Sequence, residues 1–148
     1  MNRTLRKKSW IAAIALAGAV GILASCQSMA PMMGGERVTL SGANEVPAVT
    51  TSAAGTGTVT IKEDRSVSAK ITVTGMTATA AHIHEAAAGA NGPVIVPFTK
   101  MGDDTFVAPD GAKLTEAQYA SYKAGKLYVN VHSGKNPGGE IRAQLKGS

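Results

Sequence analysis

The stretch SVSAKITVTG, residues 66 to 75, decides the fold class of this chain. Its apolar residues fall at every second position from Val67 to Val73, and serine, lysine and threonine occupy the positions between them. Successive side chains of a β-strand point to opposite faces of a sheet, so this alternation predicts a strand with one buried and one polar face.

Similar alternation predicts further strands, and clusters of glycine, proline and asparagine mark the turns between them. These strands lie near residues 37–41, 56–62, 80–85, 93–99, 126–132 and 140–146. A helix is predicted within LTEAQYASYKAG, residues 114–125, where Thr115 can cap the first turn and Gly125 can end the last. Many short strands with one short helix predict an all-β domain, built as an antiparallel β sandwich or a flattened barrel.

The first 26 residues have the composition of a secretory signal peptide, with basic residues ahead of an apolar run from Trp10 to Leu23. This run is shorter than the roughly 20 residues that a spanning helix needs. It ends in Leu23-Ala24-Ser25-Cys26, which resembles the lipobox of bacterial lipoproteins, in which the cysteine is lipidated and becomes the first residue after cleavage. Cys26 is the only cysteine, so it has no disulfide partner within the chain. The alternative is an ordinary signal peptide with an unrelated cysteine.

These features predict an exported protein anchored to a membrane through lipidated Cys26 by burial of acyl chains such as palmitate. Gln27 follows the cysteine, and a residue other than aspartate there is typical of outer-membrane lipoproteins, with the domain facing the periplasm or the cell surface. Residues 27–36 lack periodicity and are predicted to be a flexible tether, followed by one domain over residues 37–148. The methionines of this tether are soft donors that suit copper, although ordinary tether residues are the simpler interpretation.

The charge of the chain argues against nucleic acid as a partner. The formal net charge is +5, but residues 1–26 hold four of the 15 basic residues and none of the 10 acidic ones, so the remainder carries only +1. Its basic residues are scattered, without the clusters and interleaved aromatic residues that bind nucleic acid.

Two of the three histidines, His82 and His84, flank Ile83. On a strand, residues two apart share a face, so an inward Ile83 directs both histidines outward. The same rule applied to LYVNVH, residues 127–132, directs Asn130 and His132 outward as well. Strands 126–132 and 140–146 are predicted to pair as a hairpin, which would place Glu140 and Arg142 beside His132.

The three histidines His82, His84 and His132 are therefore a candidate metal site. Residues two apart on a strand lie about 6.5 to 7 Å apart, and imidazole nitrogens bind a metal at about 2.0 to 2.1 Å, so the rings can lean over one ion. Imidazole ligands suit copper or zinc.

Three carboxylates are candidates to orient the rings from a second layer: Glu45, Glu85 and Glu140. Asn130 and Arg142 complete the predicted polar face. The alternative is that the histidines make ordinary hydrogen bonds to loop backbone. No catalytic residue is predicted, since Ser133 lacks the GxSxG context of a hydrolase nucleophile.

Three motifs resemble the CHRD domain, a family named for chordin and common in bacterial exported proteins. They are LSGANEVP at residues 40–47, AHIH with GANGPV at residues 81–94, and LYVNVH with NPGGEIR at residues 127–142. The resemblance implies an extracytoplasmic, immunoglobulin-like or dismutase-like β domain, and it brings no catalytic mechanism. Ala48 and the pair Glu85-Ala86 depart from the family pattern, and Glu85 places a carboxylate next to the candidate ligands.

Two classes of function remain open at this level. The first is a lipid-anchored binding module that binds an envelope protein, a glycan or a small ligand through its polar face. The second is a protein that stores, buffers or delivers copper or zinc. HIHE is also similar to the copper-ligand strand of copper-zinc superoxide dismutases, which makes a copper-only dismutase-like enzyme a rarer extension. Convergence of the three rings within about 4 Å would favour the metal protein.

Overall fold

The computed structural model describes residues 34–147. The predicted signal segment, Cys26 and the tether as far as Met33 lie outside the described residues. Glu36, predicted as the last residue of the tether, is the first residue of a strand, and its carboxylate accepts a hydrogen bond from the backbone N–H of Lys146 at 2.8 Å.

The described chain forms nine β-strands, one α-helix and one short 3-10 turn. The strands are β1 (Glu36–Ser41), β2 (Ala54–Ile61), β3 (Val67–Thr74), β4 (Ala78–Glu85), β5 (Val94–Pro97), β6 (Thr99–Lys100), β7 (Thr105–Val107), β8 (Leu127–Ser133) and β9 (Ile141–Gln144). The helix α1 spans Glu116–Lys123, and the 3-10 turn spans Gly42–Asn44. All strand pairs are antiparallel, so the all-β prediction is confirmed.

The nine strands belong to one sheet, in the order β5-β4-β8-β9-β1-β2-β3-β7-β6. The two outer strands, β5 and β6, are separated only by Phe98, whose backbone N–H also donates to Ala81 at 2.9 Å on β4. The segment from 94 to 100 therefore joins the two ends of the sheet and brings it close to a closed, flattened barrel.

The alternating stretch SVSAKITVTG forms a strand with one buried face, as predicted. Val67, Ile71 and Val73 of β3 are buried, and the strand pairs with β2 over its full length. Gly57 lies opposite Ile71, and a Cβ at Gly57 would lie 2.1 Å from the Lys70 carbonyl oxygen. This close approach of β2 and β3 explains a glycine inside a strand.

The helix begins and ends where the sequence predicted. The Thr115 hydroxyl accepts from the Gln118 backbone N–H at 3.2 Å, and the Gln118 side chain accepts from the Thr115 N–H at 2.9 Å, which is a complete capping box. Gly125, with a φ of 68°, follows the last turn in the left-handed region that favours glycine. In residues 34–147, no helix is long and apolar enough to span a lipid bilayer.

The hydrophobic core follows strand parity. Ile83 on β4 and Leu127, Val129 and Val131 on β8 are all 0% exposed. The opposite face of these two strands is only partly open to solvent, because the loop of residues 86–93 lies over part of it. Asn130 and Arg142, predicted to point outward, do lie on that face, yet they are only 1% and 3% exposed.

Candidate metal site

Strands β4 and β8 bring the three histidines together. In their antiparallel register His82 lies opposite Asn130, His84 opposite Tyr128, and Ala80 opposite His132. The ring centroids are 4.8 Å apart for His82 and His132, 5.4 Å for His82 and His84, and 5.8 Å for His84 and His132. The shared face that parity predicts is thus present.

Two of the rings are held by backbone carbonyls of turns. Nδ1 of His84 lies 2.9 Å from the Gly92 oxygen, and Nδ1 of His132 lies 2.9 Å from the Pro137 oxygen. A carbonyl only accepts, so each Nδ1 carries the proton and each Nε2 of the neutral ring keeps a lone pair. Metal-ligating histidines commonly have this arrangement, in which the second ring nitrogen donates to an oxygen.

The third ring is held by another histidine. Nδ1 of His82 lies 2.9 Å from Nε2 of His132. Because Nδ1 of His132 already donates to Pro137, its Nε2 must accept, and the proton of this bond belongs to His82. His84 Nε2, by contrast, is buried and has no hydrogen-bond partner among the described residues.

The ring nitrogens of the three histidines lie near one another, at distances somewhat larger than those among the ligands of one metal ion. One ring nitrogen from each histidine lies within 4.8 Å of the other two, which is wider than the 4 Å that we set as favouring a metal protein. Metal–nitrogen bonds of 2.0 to 2.1 Å in a tetrahedral site place donor atoms roughly 3.3 Å apart. Small turns of the side chains would therefore be needed to bind an ion.

The three carboxylates that we predicted to orient the rings bind other groups. Glu45 accepts from Asn130 at 2.6 Å and pairs with Arg142 at 3.1 Å. Glu85 accepts from the Ser121 hydroxyl at 2.6 Å, linking β4 to the helix.

Glu140 ties two loops together at the end of the sheet. Its carboxylate accepts from the hydroxyl of Ser133 and from that of Thr51 at 2.6 Å, and these hydrogen bonds lower the pKa of the carboxyl group. The oxygen atoms that hydrogen-bond to the rings of His84 and His132 are instead the backbone carbonyls of Gly92 and Pro137.

Arg142 fixes the loop that covers this face. Its guanidinium donates to the Ala90 carbonyl at 2.9 Å and to the Asn91 side chain, and its central carbon lies 3.8 Å above the Tyr128 ring. Tyr128 in turn stacks on His84, with centroids 4.9 Å apart and an interplanar angle of 9°. The Tyr128 hydroxyl accepts from the Gly92 N–H at 3.1 Å. The loop, and with it the Gly92 carbonyl, is therefore held in place.

The surroundings of the histidines favour neutral rings. Burial is the largest cause of a lowered pKa in all three rings. It lowers the pKa of His82 to about 4, and the neighbouring His132 and His84 act in the same direction. Burial also lowers the pKa of His84 and of His132, and the charge of Arg142 acts in the same direction on both. Neutral imidazoles are the form that binds a metal.

We expect the metal-free protein to lose stability as the pH falls from about 7 to about 5. The folded rings resist protonation, whereas histidines of the unfolded chain take up protons near pH 6.5, so acid favours the unfolded state. Urea unfolding of the metal-free protein at each pH measures the effect. His82→Gln should show a smaller fall, and a wild-type midpoint that stays constant over this range would contradict the expectation.

Comparison with known proteins identifies the domain. Residues 37–145 match the CHRD domain. No curated protein and no solved structure gives a match. The match covers most of the chain and includes β1 to β9 with all three histidines, except for the first residue of β1. The chain therefore belongs to the CHRD domain family.

Proposed function

We propose that this CHRD domain is an extracytoplasmic module that binds one copper or zinc ion through His82, His84 and His132. The observation that carries the proposal is the buried Nε2 of His84, which lies in the cluster without a hydrogen-bond partner in residues 34–147. Leaving a buried polar atom unpaired costs roughly 1 to 3 kcal/mol. A bound ion would remove that cost.

The donor set supports copper or zinc over harder ions. All three ligands are neutral nitrogens, and the nearby carboxylates Glu45, Glu85 and Glu140 are engaged elsewhere. Calcium and magnesium need oxygen ligands, whereas imidazole suits copper and zinc. Three protein ligands leave a fourth position for water or a ligand from a partner, which suits storage, buffering or delivery of the ion.

Elemental analysis after incubation with copper or zinc tests the proposal. We expect the wild-type domain to retain about one ion per chain after desalting, and the double variant His82→Ala, His84→Ala to retain none. Thr72→Ala, Thr74→Ala is a matched control, since it removes two exposed side chains two residues apart on β3, away from the site. Circular dichroism checks that each variant is folded. Equal metal content in the histidine variant and the wild type would refute the proposal.

We also propose that the domain is lipid-anchored through Cys26, in the outer membrane of a two-membrane bacterium. The lipobox-like LASC, the basic and apolar leader and the extracellular-type CHRD domain support this. We expect the full chain to incorporate labelled palmitate and to fractionate with membranes. Cys26→Ala should lose the label and remain unprocessed at the leader, and Ser25→Ala serves as the control. A Cys26→Ala protein that is still labelled would contradict the anchor.

A further inference from the structure

Asn130 holds a second buried atom without a partner on this face. Its side-chain nitrogen donates to Glu45 at 2.6 Å, whereas its oxygen Oδ1 is buried and has no partner among the described residues. A carboxylate only accepts, so Glu45 fixes which end of the amide is the oxygen. Gly139 leaves room for this pair, since a Cβ there would lie 2.2 Å from Asn130 Nδ2 and 2.7 Å from Glu45 Oε1. The oxygen is therefore held in one orientation.

His82 is the one ring of the cluster whose N–H is not bonded to an oxygen. His84 and His132 each donate from Nδ1 to a backbone carbonyl, whereas His82 donates from Nδ1 to a ring nitrogen. Asn130 lies directly opposite His82 in the register of β4 and β8. Side chains at opposite positions have Cβ atoms about 4.5 to 5.5 Å apart, so their polar ends can meet.

Metal binding must break the bond between His82 and His132. The lone pair of His132 Nε2 that would hold the ion is occupied by the His82 proton, and His82 itself presents an N–H towards the cluster. If the His82 ring turns, its unprotonated Nε2 can approach the ion while Nδ1 keeps the proton. That N–H then needs a new acceptor.

We infer that Asn130 is the positioning residue of the metal site, whose side-chain oxygen accepts the Nδ1–H of His82 when an ion binds. One hydrogen bond, from His82 to His132, is exchanged for another, from His82 to Asn130, and no proton leaves the protein. All three histidines then bind the ion through Nε2, and each Nδ1–H donates to an oxygen, that of Gly92, Pro137 or Asn130. The inference rests on the proposed metal function.

Nitrogen-15 NMR of the zinc-bound wild-type protein, labelled at histidine, tests the inference directly. We expect each of the three rings to bind zinc through Nε2 and to carry an Nδ1–H protected from solvent exchange. Zinc bound to Nδ1 of His82, or a rapidly exchanging N–H on that ring, would overturn the inference. If the wild-type protein retains neither copper nor zinc in the elemental analysis, it is the proposed function that fails.

Two variants separate positioning from structural support. Asn130→Ala should weaken zinc binding about 10- to 100-fold, as loss of an outer hydrogen bond to a metal ligand typically does, and should expose the His82 N–H to exchange. The double variant Glu45→Gln, Asn130→Asp reverses the donor and acceptor of the pair, conserves total charge and keeps an oxygen facing His82. It should restore binding to within a few-fold of wild type and protect the N–H. Asn130→Ala with unchanged zinc affinity and a protected His82 N–H would overturn the inference.

Discussion

Replacing Glu45 with alanine is expected to lower the free energy of unfolding by about 3 to 5 kcal/mol, since it leaves the buried charge of Arg142 without its counter-charge. Arg142 is 3% exposed, and its guanidinium cannot lose its proton at accessible pH. The variant also removes the acceptor of the Asn130 side-chain nitrogen. Urea unfolding at pH 7 measures the loss.

The reciprocal variant, Arg142→Met, identifies the buried charge as the cause. Burial raises the pKa of Glu45 even in the presence of Arg142, so without the arginine this carboxyl group can become neutral by taking up a proton. The folded state then binds the proton more tightly than the unfolded chain. The free energy of unfolding of Arg142→Met should therefore approach that of the wild type as the pH falls from about 7 to about 5. The free energy of unfolding of Glu45→Ala should not. A Glu45→Ala protein within about 1 kcal/mol of wild type would contradict the argument.

Replacing Ile83 with alanine is expected to cost about 2 to 5 kcal/mol, while the matched Ile83→Val should cost about 0.5 to 1.5 kcal/mol. Ile83 on β4 is 0% exposed and belongs to the hydrophobic core, so its truncation would leave a cavity there. Thermal and urea unfolding of both variants measure the difference. Equal effects of the two substitutions would show that the core relaxes around this position, and would contradict close packing of Ile83.

Strand parity is the part of the fold and site that could be predicted from sequence. Period-two alternation identified every strand of four residues or more, and it put His82, His84 and His132 on one face because Ile83 and its β8 neighbours are buried. One predicted strand, 93–99, is divided at Phe98, where the chain passes from pairing with β4 to pairing with β7. The strand β7, Thr105–Val107, was missed because three residues carry too little alternation to register.

The environment of the site could not be predicted, because it depends on where the loops lie. Strand parity distinguishes the two faces of a strand, but it does not predict that the loop of residues 86–93 folds back over the polar face. Glu45 and Arg142 are 97 residues apart, and no local pattern connects them. The sequence also could not predict that the carbonyls of Gly92 and Pro137 bind the rings, since GANGPV and KNPGG have the composition of ordinary turns.

The near closure of the sheet by the segment from 94 to 100 bears on how the domain behaves in crowded surroundings. Long unpaired strand edges offer backbone groups on which another chain can add a strand, and such addition leads to aggregation. In residues 34–147, the outermost strands of the sheet order are only four and two residues long, and they are neighbouring pieces of the same segment. Neighbouring copies of this domain therefore offer each other little unpaired strand edge on which a shared sheet could form.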